Sequence, residues 1–274
     1  MSIRYFFHDD DFSSIINSLI PNAQSVTKLT NAWTNFVYKV SDGKDQYIFR
    51  FPRNDFFSRA LEKEINFNQW IVPKISFQTN HLEKHFYHGK IFSVHKAIPG
   101  NNLSEVYDKL SPKQINKLCL DVCHVIKELQ SLDFRSFPLD SLSNFLAGLS
   151  TVNHGNYDFS KLGILKDMED DSSCLCHGDL NPGNLIIRNG KLVAIIDFAF
   201  VSASSDLIDI SRIIGRLPDN YKTSLKNNFE AVFDKKIEDN ELKYLIELWN
   251  YVEQDYMEYI KREASDIVLP NFFD

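Results

Sequence analysis

The apolar pattern of this 274-residue chain changes character once, and that change limits the folds open to it. Over residues 26–52 the sequence VTKLTNAWTNFVYKVSDGKDQYIFRFP gives short β segments, and Ser41-Asp42-Gly43 separates two of them. Alternating side chains suit a strand with one buried face, and Asp-Gly supplies a turn, so FVYKV and QYIFRF predict an antiparallel hairpin. Further short strands are expected at 74–77, 85–88 and 91–98, with a helix over 58–71 and a shorter amphipathic one over 12–20. After Asn101-Asn102 a 3.6-residue period takes over. Ser111 is placed as an N-cap and Pro112 at the first helical position, ahead of Ile115, Leu118, Val122, Val125, Ile126 and Leu129 on one face. Helices are also expected at 162–168 and over 241–264, and short strands around Leu175, at 184–187 and after Gly190. The fold class is therefore α+β: an N-terminal antiparallel sheet with one helix over 1–96, then a larger, mainly helical part over 97–274.

Composition removes several function classes. With 43% hydrophobic residues and only 9 Pro and 10 Gly, collagen and wholesale disorder are excluded. A net charge of -7 without a basic cluster argues against a nucleic-acid partner. The longest apolar stretch, 192–201, contains Asp197 and is about half of what a membrane span requires. The opening MSIRYFFHDDD has no basic region leading into an apolar run, so a secretory signal is not expected and a cytoplasmic location is. Cys119, Cys123, Cys174 and Cys176 have neither zinc nor CxxC redox spacing, and are expected to be reduced packing residues.

Chemistry concentrates in CHGDLNPGNLIIRNGKLVAIIDFAF, residues 176–200. Asp179 and Asn184 stand five apart across a loop with Pro182 and Gly183, and Asp197 returns thirteen residues later through a hairpin at Asn189-Gly190. Such a set offers hard oxygen donors to a divalent cation. Asn184 and Asp197 are read as holding Mg²⁺ against phosphates, and Asp179 as accepting the proton of a substrate hydroxyl that attacks phosphorus. His177, beside them, is expected to orient backbone.

These segments resemble the aminoglycoside phosphotransferase and choline kinase group of small-molecule kinases, which share the protein-kinase-like bilobal fold. HGDLNPGN looks like that group's catalytic loop and IDF like its metal-binding segment. LTNAWTNFVYKV is similar to its first strands and nucleotide loop, YIFRFPR to its phosphate-contacting strand, and LEKEINF to the helix bearing the ion-pair glutamate. The resemblance covers roughly residues 25–215. It implies ATP or GTP as phosphate donor and Mg²⁺ as cofactor. It also implies nucleotide contacts from Thr30, Asn31, Thr34, Asn35, Arg50 and Glu64, with Lys96 and Ile98 near the base where the lobes are expected to join. Two positions depart from it. Arg50, with Arg53 and Lys39 as alternatives, stands where a phosphate-binding Lys is usual, and Ala199 follows Asp197-Phe198 where a protein kinase has Gly. No GxG occurs anywhere. VSASSDLIDISR resembles the segment that follows the group's metal aspartate; Asp206 and Asp209 look like its structural or loop-supporting carboxylates, and Asp206 is read as the one that orients the catalytic loop.

The function expected is phosphorylation of a hydroxyl on a small cationic, aminoglycoside-like molecule, by a monomer or weak homodimer without membrane or nucleic-acid partners. Glu247, Glu253, Asp255, Glu258 and Glu263 make the C-terminal helical region acidic, which suits amino-sugar ammonium groups if some of them line the cleft and is equally explained by a solvated helix surface. The alternatives are a choline, ethanolamine or other small-alcohol kinase, a macrolide kinase, and a non-catalytic nucleotide-binding pseudokinase. Trp249, Tyr251, Tyr256 and Tyr259 are the rings a choline-type cage would draw on, although core packing is the preferred role.

Overall fold

The computed structural model describes residues 6–30, 32, 34–139 and 173–263, with side chains for all of these except Phe56, Tyr251, Val252 and 254–263. The helix expected at 162–168 lies outside the described residues. The described residues fall into two compact units, one drawn from Met1–Trp70, Asn80–Ala97 and Tyr256–Asp274, the other from Ile71–Thr79 and Ile98–Asp255.

The first unit is built on a five-stranded antiparallel sheet. Its strands are β1 (Ser25–Leu29), β2 (Asn35–Ser41), β3 (Gln46–Pro52), β4 (Glu83–Tyr87) and β5 (Lys90–Lys96), in the order β1-β2-β3-β5-β4. The β2–β3 turn forms because Asp42 Oδ1 accepts from the N–H groups of Lys44 at 2.9 Å and Asp45 at 2.7 Å, while Gly43 takes a φ of 89°. Alternation divides the sheet into two faces. Phe36, Val40, Phe49, Phe51, Phe92 and Val94 form a core with Phe12, Ile15 and Ile16 of α1 (Asp9–Leu19). Leu82 and Ile91 cluster with Leu61 and Ile65 of α2 (Asp55–Ile71). Asn68 of α2 ties down the chain leading into β4, donating to Asn80 O at 2.6 Å and accepting from Leu82 N–H at 3.1 Å.

In the second unit β6 (Asn101–Asn102), β8 (Leu185–Arg188) and β9 (Lys191–Ile195) make a three-stranded antiparallel sheet, and β7 (Cys174–Cys176) pairs with β10 (Ser202–Ser204). Its helices are α3 (Pro112–Ser131), α4 (Ile208–Ile214), α5 (Asp219–Phe233) and α6 (Asp239–Glu263), the last leaving this unit after Asp255. The start of α3 is fixed by a reciprocal cap: Ser111 N–H donates to Gln114 Oε1 at 2.9 Å, and Gln114 N–H donates to Ser111 Oγ at 3.4 Å. On its buried face the thiols of Cys119 and Cys123 reach the carbonyls of Tyr221 and Leu225 on α5, each at 3.8 Å.

The strand expected at 74–77 does not form. Pro73 sits in a short 3₁₀ turn over Val72–Lys74, and the backbone and hydroxyl of Ser76 are both taken by the Glu128 carboxylate. Only Gln78 bridges to Ala194, beside β9. Among the described residues no helix is long and apolar enough to cross a membrane.

Candidate active site

The loop from His177 to Asn184 is held from three sides. Its backbone is fixed from below by Asp209 of α4, whose two carboxylate oxygens accept from His177 N–H and Gly178 N–H at 2.9 Å each. Burial raises the Asp209 carboxyl above the ordinary aspartate range, a cost that the two N–H donors partly offset. This corrects the expectation for Asp206. That residue lies apart on the surface, paired with Lys235 Nζ at 2.8 Å. Gly178 has a φ of 80°, and a Cβ there would fall 1.9 Å from the carbonyl oxygen of Phe200, so the loop admits only glycine at that point.

His177 is fully buried and does orient backbone. Its Nε2 lies 3.0 Å from the Ile196 carbonyl, and its Nδ1 accepts from Asp179 N–H at 3.3 Å, which makes Nε2 the protonated nitrogen. Within the loop Asn181 Oδ1 accepts from Gly183 N–H at 2.8 Å, and its Nδ2 donates to the Asp179 carbonyl at 3.1 Å.

Two of the three residues singled out for chemistry touch. Asn184 Nδ2 donates to the Asp179 carbonyl at 2.9 Å and lies 3.3 Å from Asp179 Oδ2, which turns the amide oxygen of Asn184 away from that carboxylate. Asp197 reaches the same neighbourhood through the β8–β9 ladder: Leu185 pairs with Ile195, and Ile196 N–H donates to the Asn184 carbonyl at 3.0 Å. Asp197 therefore stands one residue past the partner of Asn184. It holds a φ of 69°, uncommon for a residue with a Cβ, so the left-handed turn of this segment falls on the aspartate rather than on Ala199. One anionic and one neutral oxygen donor suit a hard cation such as Mg²⁺, which binds few protein ligands and completes its shell with water and phosphate.

Asp179 has a partner that the sequence reading missed. Arg212 of α4 places Nε 3.0 Å and Nη2 2.8 Å from Asp179 Oδ1, while its Nη1 lies 3.0 Å from Glu253 Oε2 on α6. Arg216 also pairs with Glu253. Desolvation, followed by repulsion from Arg212, pushes the Arg216 guanidinium down to about 10. A signal was present: Asp209 and Arg212 are three apart at a helix start, hence on one face.

The remaining candidates belong to the first unit or its edge. Arg50 and Glu64 form a buried two-point ion pair, with both N–O distances 2.8 Å, joining β3 to α2. His95 lies beside it on β5, and burial with the nearby Arg50 charge lowers its imidazole to about 3, so it is neutral. Asn35 donates to Thr34 Oγ1 at 2.7 Å, and its buried Oδ1 has no hydrogen-bond partner among the described residues. Arg53, the second cation considered for phosphate, instead braces this turn. Its N–H donates to the Thr34 carbonyl at 3.2 Å, its Nη2 to the Ala32 carbonyl at 3.3 Å, and its guanidinium lies over the Phe36 ring. Thr30 and Lys39 are exposed, and Asn31 lies outside the described residues. The Lys96 ammonium points to Asp45 at 2.8 Å, and Ala97 N–H donates to the Gln46 carbonyl at 2.7 Å; Ile98, in the second unit, is half-buried.

Comparison with known proteins places these motifs in a wider set. A family model described as "Phosphotransferase enzyme family" matches residues 25–233. Comparison with curated protein sequences gives no match. Among solved structures, the chain is similar to APH(2")-IIia in its complex with GDP and kanamycin, with a TM-score of 0.70, 19% identity and 93% of each chain covered. It is also similar to an aminoglycoside-3'-phosphotransferase of type VIII, with a TM-score of 0.70 and 16% identity over 91% of this chain and all of the other. A macrolide 2'-phosphotransferase, MphH from Brachybacterium faecium, matches with a TM-score of 0.62 and 11% identity, covering 91% of this chain and 95% of that one. At these identities the likeness is one of fold, and it covers both the sheet and the helical part.

Proposed function

Because the chain belongs to the phosphotransferase enzyme family, we propose that it transfers the terminal phosphate of ATP or GTP to a hydroxyl of a small molecule in the cytoplasm, with aminoglycoside-like acceptors as the first class to test. The observation that carries this reading is the setting of Asp179. Its backbone is locked by His177 and Asn184, and its carboxylate is held by Arg212 on one oxygen and lies beside Asn184 on the other. A carboxylate so restrained can accept a hydroxyl hydrogen bond and then its proton as the oxygen attacks, so catalysis rests on alignment. Asn184 and Asp197 would hold Mg²⁺, which supplies charge neutralisation on the phosphates when bound. Arg50 is the cation assigned to the phosphates in place of a lysine; with its fork engaged by Glu64, it would serve them through its charge and its remaining N–H groups.

The acceptor class is supported by the fold and by the similar structures, one of which is a complex with GDP and kanamycin. The last helix adds less than its composition promises. Glu253 is already paired with two guanidiniums and Glu247 faces Lys243, while the side chains of Asp255, Glu258 and Glu263 lie outside those described. A choline-type cage finds no support at Trp249, whose ring is covered by Arg212 at 5.0 Å; the side chains of Tyr251, Tyr256 and Tyr259 also lie outside those described.

The test is a panel of aminoglycosides, macrolides and choline-like alcohols with MgATP and MgGTP, read by phosphate transferred to the acceptor. Transfer to at least one acceptor is expected, falling about 10²–10⁴-fold in Asp179→Ala. Absence of transfer throughout, or equal transfer by the variant, would reject the reading.

A further inference from the structure

Helix α4 carries two devices on one face, one turn apart. Asp209 fixes the backbone of His177 and Gly178, and Arg212 grips the side chain of Asp179 two residues later. The Arg212 side chain is only 11% exposed and is restrained at three points. Nε and Nη2 share Asp179 Oδ1, Nη1 meets Glu253 Oε2, and the guanidinium plane lies over the Trp249 ring. Glu253 is in turn held by Arg216, so among these four side chains two carboxylates face two guanidiniums.

This arrangement distinguishes the two oxygens of Asp179. Oδ1 receives two N–H donors from Arg212, whereas among the described residues Oδ2 has only the long 3.3 Å approach of Asn184 Nδ2. Of the two oxygens, Oδ2 is therefore the one less engaged by the described residues and the one an acceptor hydroxyl would address.

We propose that Arg212 is a positioning residue for Asp179: it fixes the carboxylate in the one orientation that presents Oδ2 to the acceptor hydroxyl, and Glu253 and Trp249 of α6 keep Arg212 in place. This rests on the assignment of Asp179 as the group that receives the hydroxyl proton. Two N–H donors of the guanidinium converge on Oδ1 and fix its position, which a single ammonium contact does less well, and Asn184 Nδ2 beside Oδ2 sets the side to which the second oxygen turns. A misplacement on the order of 1 Å at such a group costs about 100-fold in rate.

Three measurements decide it. In a crystal structure of Arg212→Ala, the Asp179 carboxylate is expected to leave its present orientation while Asp209 keeps its bonds to His177 and Gly178; an unmoved carboxylate would overturn the proposal. In steady-state kinetics with the best panel acceptor, Arg212→Ala is expected to lower kcat about 100-fold with the KM for nucleotide changed less than about threefold. Arg212→Lys is expected to fall between Ala and wild type, and guanidinium chloride at millimolar concentration to restore part of the Arg212→Ala rate where urea does not. A loss confined to KM, or equal effects of guanidinium and urea, would count against positioning. Should Arg212→Ala fail to fold, Arg212→Lys carries both the structural and the kinetic arm, since it keeps the charge opposite Glu253. If wild type phosphorylates nothing in the panel, the functional reading falls, and the structure of the variant still decides whether Arg212 holds Asp179.

Discussion

Single residues here do work that their identity alone does not reveal. Asp209 is a carboxylate buried for the sake of two backbone N–H groups, so Asp209→Asn would turn an NH₂ toward one of them and leave a donor unsatisfied. The expected cost is about 1–3 kcal/mol of stability, measured by urea unfolding. His95 gives a pH signature of known sign. Its imidazole titrates near 3 in the folded chain and near 6.5 when exposed, so below about pH 6.5 the unfolded chain takes up a proton that the folded chain refuses. Stability falls as pH is lowered across that interval, by at most ~1.4 kcal/mol per pH unit from this group, and the slope disappears below about pH 3. Urea midpoints at pH 7.5, 6 and 5 should show the trend in wild type and a shallower one in His95→Gln; parallel slopes would remove His95 as the cause.

Elements show how far local pattern carries. The hairpin, α2 and α3 were legible because Asp-Gly, a period of 3.6 and a Ser-Pro cap are local signals. The strand at 74–77 failed because a carboxylate 52 residues away, Glu128, competes for Ser76, and no local pattern reports that. The site divided in the same way. Asp179, Asn184 and Asp197 were legible from one contiguous segment, whereas Arg212 and Glu253 reach Asp179 only through packing of α4 and α6. Helix α1 is the clearest element outside the family match, which begins at residue 25. Its Phe12 ring lies 4.9 Å from Phe51 and 5.3 Å from Phe36, so it covers an aromatic sheet face that would otherwise meet water. Phe12→Ala is expected to cost about 3–5 kcal/mol, read as a lower denaturation midpoint, and a near-neutral result would show that α1 is dispensable to the sheet.

At the scale of the whole molecule, the assigned roles sort by unit. The Arg50–Glu64 pair belongs to the sheet unit, and Asp179, Asn184 and Asp197 to the helical one. If Arg50 addresses phosphates and Asp179 addresses the acceptor hydroxyl, their loss must appear in different kinetic parameters. A contact made in both the bound complex and the transition state raises KM without lowering kcat, whereas a contact needed only as the proton leaves lowers kcat. Arg50→Ala also removes the two-point partner of Glu64, a carboxylate 1% exposed, so it confounds binding with the disturbance of a buried charge. The double variant Arg50→Met/Glu64→Leu avoids this by replacing the pair with apolar groups of similar bulk. It is expected to raise the nucleotide KM about tenfold or more, the loss of one charge-assisted phosphate contact, while keeping the fold. Asp179→Asn is expected to leave nucleotide affinity within about threefold of wild type, measured by titration calorimetry, and to lower kcat at least about 100-fold. A kcat loss in the double variant equal to that in Asp179→Asn, with nucleotide affinity unchanged in both, would contradict this division of roles and leave Arg50 as part of the sheet's architecture.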